Sequence, residues 1–123
     1  MMIDHVTMQV SDVAASRRFY EAVLAPLDVT VEGGEEFVGF IGPSGGSYWL
    51  IPAERSGDRE LHIAFSAPDR EHVRAFHRAA VEIGAEILHE PRIFPEYHEN
   101  YYGAFVRDPD GHNVEAVCHD PED

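Results

Sequence analysis

Three side chains of this 123-residue chain have the types and positions to share a divalent cation: His5, His62 and Glu115. Each histidine opens a short stretch of alternating character, HVTMQV and HIAFS. Successive strand side chains point to opposite faces, so each imidazole lies opposite an apolar stripe. In NVEAVC, Glu115 shares a face with Asn113 and Val117, while Val114, Ala116 and Cys118 take the other. A carboxylate in the middle of such a strand is costly unless it is paired or bound to metal. Two imidazoles and one carboxylate suit Mn²⁺, Fe²⁺, Co²⁺, Ni²⁺ or Zn²⁺. Three protein ligands leave positions open for water or substrate, as in catalytic rather than structural centres. The plainer alternative is that each histidine is hydrogen-bonded and Glu115 pairs with an arginine. The matched placement of the two histidines favours the metal.

That matching comes from a weak internal repeat. HVTMQVSDVAASRRFYEA, from residue 5, and HIAFSAPDREHVRAFHRA, from residue 62, superpose at an offset of 57. His5 then falls on His62, Asp12 on Asp69, Arg17 on Arg74, Phe19 on Phe76 and Ala22 on Ala79. Each copy reads as a strand followed by a helix. Asp12 and Asp69 stand at the helix N-termini, and Gly84 is a stop for the second helix. Val73, Phe76, Ala80 and Ile83 recur near 3.6 residues. Short β segments follow, over 29–32, 37–41 and 48–52, then 86–90, 101–107 and 113–118, split by glycine-rich turns and by Asp108-Pro109-Asp110-Gly111. The expected fold is α+β: two βαβββ modules, about 1–54 and 58–123, in a single domain spanning 1–123. Their sheets should curl around a shared cleft.

Composition narrows the function classes. An apolar fraction of 44% is enough to build a core. The formal charge is −14, with nine arginines and no lysine. Phosphate backbones and anionic membrane surfaces are poor partners for such a chain. No apolar run approaches the roughly 20 residues that span a bilayer, and no signal-peptide pattern is seen at the start. Cys118 is the lone cysteine, so no internal disulfide can form. A cytoplasmic protein with a small-molecule substrate is expected.

Substrate groups are read from the same faces. Alternation puts Tyr48, Tyr101 and Phe105 beside the ligands, giving an aromatic, mostly apolar pocket. The stretch PRIFPEYHENYY reads as a lid loop carrying Arg92, Tyr97 and His98. Arg92 could hold a carboxylate, and His98 and Tyr101 are the candidate catalytic groups. His72, His77, His89, His112 and His119 read as solvated.

IDHVTMQVSD, ELHIAFSAPD and FVRDPDGHNVEAVCH together resemble the vicinal oxygen chelate superfamily, which includes glyoxalase I, fosfomycin-modifying thiol transferases, extradiol dioxygenases and bleomycin-resistance proteins. The resemblance covers almost the whole chain. It implies the paired βαβββ fold, a metal held by His5, His62 and Glu115, and a homodimer whose sites are often shared between chains. It implies a lyase or isomerase, or a dioxygenase, acting on a small oxygen-chelating substrate. An antibiotic-sequestering binding protein of the bleomycin-resistance type is the alternative. Thr7 matches a threonine of the thiol transferases. The fourth ligand of glyoxalase I, a glutamate, falls on Leu50.

Overall fold

The computed structural model describes residues 4–53 and 61–121. The expected boundary between modules, near 54–58, falls outside them. Strand β1 (His5–Val10) leads into helix α1 (Val13–Leu24) and a 3₁₀ turn (Ala25–Leu27), then β2 (Thr30–Gly33), β3 (Val38–Ile41) and β4 (Ser47–Pro52). Strand β5 (His62–Ser66), helix α2 (Arg70–Glu82), β6 (Ile87–Ile93), β7 (Tyr102–Arg107) and β8 (Asn113–Cys118) repeat the order. This is the expected βαβββ duplication.

Both helices begin as the repeat requires. The Asp12 carboxylate accepts the N–H of Ala15 at 3.1 Å, and Asp69 accepts that of His72 at 2.9 Å. Each side chain satisfies a donor that the first helical turn leaves free. Gly84 ends α2 at φ +76, a conformation that glycine adopts without steric cost.

The strands form two four-stranded sheets, β1-β4-β3-β2 and β5-β8-β7-β6. In each, the strand that carries the histidine lies at the edge and pairs in parallel with the last strand of its module. The inner faces of both sheets share one core with the helices. Met8, Val10, Tyr20, Phe40 and Leu50 contribute from the first module, and Phe76, Val106 and Val114 from the second. The outer faces therefore turn away from that core.

Polar bonds tie the modules together. The Tyr20 hydroxyl donates to Asp108 at 2.7 Å, in a buried setting. Ser11 donates through its hydroxyl to Asp110. Among the described residues no helix is long and apolar enough to cross a membrane.

Two local expectations change. Strand β6 runs on to Ile93, so Arg92 lies on a strand and the loop that follows shortens to 94–101. Register shifts on either side of His89 let β6 stay paired with β7 through Pro91, which has no N–H to donate. Tyr48 does not share the ligand face. It is buried in the core, in ring contact with Tyr20, Phe40 and Phe65.

Candidate functional site

Register decides which residues meet. On the second sheet His62 pairs with Asn113, and Ala64 pairs with Glu115. Phe105 pairs with Glu115 from the other side. The outer face of this sheet therefore presents His62, Glu115 and Phe105 together, as alternation required. His62 Nε2 lies 2.8 Å from Glu115 Oε1. The Tyr101 hydroxyl donates to the other carboxylate oxygen, Oε2. Glu115 is fully buried, whereas the His62 side chain is half exposed. Both carboxylate oxygens thus have partners, which a buried carboxylate requires.

The loop 94–101 closes over this face. Phe94 is buried and meets Phe105 edge-on at 5.1 Å between ring centroids, and His89 meets both rings. Tyr101 follows from the end of the loop. Gly103 makes room for it: a Cβ there would stand 3.3 Å from Glu115 Oε2 and 3.4 Å from the Tyr101 ring. Burial, and then the bond to the Glu115 carboxylate, push the Tyr101 hydroxyl well above its ordinary range. Tyr101 is therefore a neutral donor that orients Glu115.

His98 sits beside the Tyr101 ring, 5.5 Å between centroids. Its Nδ1 accepts the Asn100 N–H at 3.1 Å, so Nε2 carries the proton and donates to His119 Nδ1 at 2.7 Å. His119 and His89 are exposed, as expected, with His119 in contact with His98 and His89 against its two rings. His112 is buried, and its Nδ1 accepts the N–H of Leu61. The Arg92 guanidinium lies 3.7 Å over the Phe94 ring and donates to the Ile93 carbonyl.

His5 and Thr7 stand exposed on the outer face of the first sheet. The nearest partner of His5 is Asp4, at 2.9 Å. Within one chain His5 is not brought to His62 and Glu115. The two outer faces point away from the common core, so the pair and the third residue occupy separate half-sites.

Strand β4 also corrects the position expected for a fourth ligand. Leu50 is fully buried on the helix side. The residue that pairs with Thr7, as Glu115 pairs with Ala64, is Trp49. The indole is thus the counterpart of the glutamate. The run YWLIP is apolar on both faces, so alternation could not reveal its phase.

The His62–Glu115 pair fits a divalent ion. A buried carboxylate oxygen and an imidazole nitrogen 2.8 Å apart are spaced as neighbouring ligands on one ion. One three-residue group among the described residues also has its ligand atoms within 4.8 Å of one another: Asp108, Asp110 and His112. Most of its polar atoms already serve in hydrogen bonds. Asp108 accepts the Tyr20 hydroxyl and the N–H groups of Asp110 and His112, Asp110 accepts from Ser11, and His112 accepts from Leu61. That group knots the last turn to the first module.

The family model for the glyoxalase/bleomycin resistance protein/dioxygenase superfamily matches residues 2–116. A glyoxalase/bleomycin resistance protein from Albidiferax ferrireducens superposes with a TM-score of 0.80 at 26% identity, covering 98% of this chain and 100% of its own. A glyoxalase/dioxygenase from Nostoc punctiforme gives 0.73 at 26%, covering 98% and 91%. The lactoylglutathione lyase of Agrobacterium tumefaciens, at 19% identity, covers 94% and 92% with a TM-score of 0.71 and so shares the fold. No curated sequence matches the chain.

Proposed function

The chain belongs to the glyoxalase/bleomycin resistance protein/dioxygenase superfamily, and from that premise we propose that it is a metal-dependent enzyme acting on a small oxygen-chelating substrate. His62 and Glu115 hold the divalent ion, and His5 completes the triad from a second copy of the chain. The observation that carries this reading is the buried Glu115 carboxylate fixed against His62. The separation of the half-sites supports a homodimer. A two-fold dimer can lay the first sheet of one protomer over the second sheet of the other, forming two equivalent sites.

When bound, the metal supplies Lewis acidity to a substrate oxygen. The protein's own groups do the rest. Tyr101 keeps Glu115 in place by donating to its second oxygen. Phe94 and Phe105 make a dry floor beside it, where charge interactions are strengthened. His98, at the edge of the Tyr101 ring, can pass its Nε2 proton to a substrate entering under the loop once the substrate displaces His119 from it. Arg92 meets a substrate carboxylate at the rim, and Thr7 approaches alongside His5. The reaction class is a lyase or isomerase step or a dioxygenation. The single, free and buried cysteine supports a reducing, cytoplasmic setting.

The function is tested by assay before and after removal of metal with a chelator. Hemithioacetal isomerisation and catechol-dependent oxygen uptake separate the reaction classes. Loss of one activity on chelation and its return on adding a divalent ion supports the reading. An activity indifferent to chelation overturns it.

A further inference from the structure

The duplicated register sets Trp49 where the second module has Glu115, and Gly39 where it has Phe105. The exchange is coordinated. A Cβ on Gly39 would lie 2.4–2.6 Å from three atoms of the indole ring, so the ring rests directly on the β3 backbone. Any larger residue at 39 would lift it. The indole N–H donates to Ser47 Oγ at 2.9 Å, which fixes the ring's direction along β4. Ser47 is in turn the register partner of His5, and Trp49 that of Thr7. Phe37, half exposed, packs at the indole's outer edge, 6.4 Å between centroids. The first half-site is therefore a rigid aromatic plate beside a histidine, with its N–H already satisfied.

The geometry points to Trp49 as the residue that selects the substrate, by stacking a planar aromatic or conjugated ring whose vicinal oxygens reach the metal. This rests on the proposed metal site and on His5 joining it. A plate pinned on one face and satisfied at its N–H recognises flat apolar surface and has little to offer an aliphatic chain. β4 carries no carboxylate or imidazole between Ser47 and Pro52, so this position discriminates between substrates without adding a ligand.

Two chelators separate the possibilities: 4-nitrocatechol, which is aromatic, and acetohydroxamate, which is aliphatic. Each is titrated into the metal-loaded wild type, Trp49→Leu and Trp49→Phe, with metal content measured in parallel. Trp49 is the only tryptophan, so its emission reports binding nearby, and the loss of affinity in Trp49→Leu reports the contact. Stacking requires that 4-nitrocatechol quench the emission saturably and bind Trp49→Leu about tenfold more weakly. Trp49→Phe should recover most of that affinity. Acetohydroxamate should bind all three alike, and metal content should not change. Equal affinity of 4-nitrocatechol for wild type and Trp49→Leu, or equal weakening of both chelators, overturns the inference while leaving the metal reading intact. Failure of both chelators to bind wild-type protein overturns the metal reading and the stacking inference with it.

Discussion

His62 and Glu115 stand on adjacent parallel strands, offset by two positions in register, with Nε2 and Oε1 2.8 Å apart. The edge strand brings the imidazole halfway into solvent, while the central strand buries the carboxylate. One residue is thus accessible to an incoming ion, and the other supplies charge from a site that water does not reach.

Tyr101 should matter through Glu115. Tyr101→Phe removes a hydroxyl donor from a buried carboxylate, at a cost of about 1–2 kcal/mol. Urea denaturation measures that loss. The same change should weaken metal binding by about tenfold or more, as supporting partners of metal ligands commonly do. Unchanged affinity in a folded Tyr101→Phe protein would remove Tyr101 from the site.

Gly103→Ala tests the space around the same bond. The new methyl group would press on Glu115 Oε2 and the Tyr101 ring at 3.3–3.4 Å. The fold should persist, since Gly103 has no positive φ to lose. Metal affinity measured by calorimetry should fall.

Completion of the site across two chains makes a quantitative demand. His5→Ala and Glu115→Ala proteins, each deficient alone, should regain about a quarter of wild-type sites when unfolded and refolded together in equal amounts. Random pairing makes half the dimers mixed, and each mixed dimer has one intact site. No recovery would mean that each site is built within one chain.

Stability should fall at high pH. Burial, then Tyr48 and Asp108, push the Tyr20 hydroxyl far above its ordinary range. Above the unfolded value, near pH 10, the unfolded chain loses this proton and the folded one keeps it. The unfolded state then binds fewer protons, so stability decreases as pH rises. Urea midpoints should hold up to about pH 9 and then decline. Tyr20→Phe should start less stable and decline less steeply.

Much of this arrangement was legible in the residues because periodicity and repeat agreed. The offset of 57 placed His5 and His62 at equivalent edge positions, and Asp12 and Asp69 cap as expected. Glu115 was legible because a lone carboxylate stood out in an apolar strand. Tyr48 and Leu50 were misassigned for the opposite reason. Every residue from Tyr48 to Pro52 is apolar or aromatic, so only pairing with β1 sets the phase. The separation of His5 from the other two ligands was not legible at all. It depends on which sheet faces the helices share, a tertiary property with no signature in alternation. His89 and His119 are exposed as expected, but His112 was misread as solvated, because its burial comes from Leu61 and the Asp108 turn rather than from any local pattern.

The most direct measurement is the metal content of purified wild type, His62→Ala and Glu115→Ala by elemental mass spectrometry. A site built on His62 and Glu115 requires about one divalent ion per wild-type chain and its loss from both variants. Equal metal in all three folded proteins would contradict it.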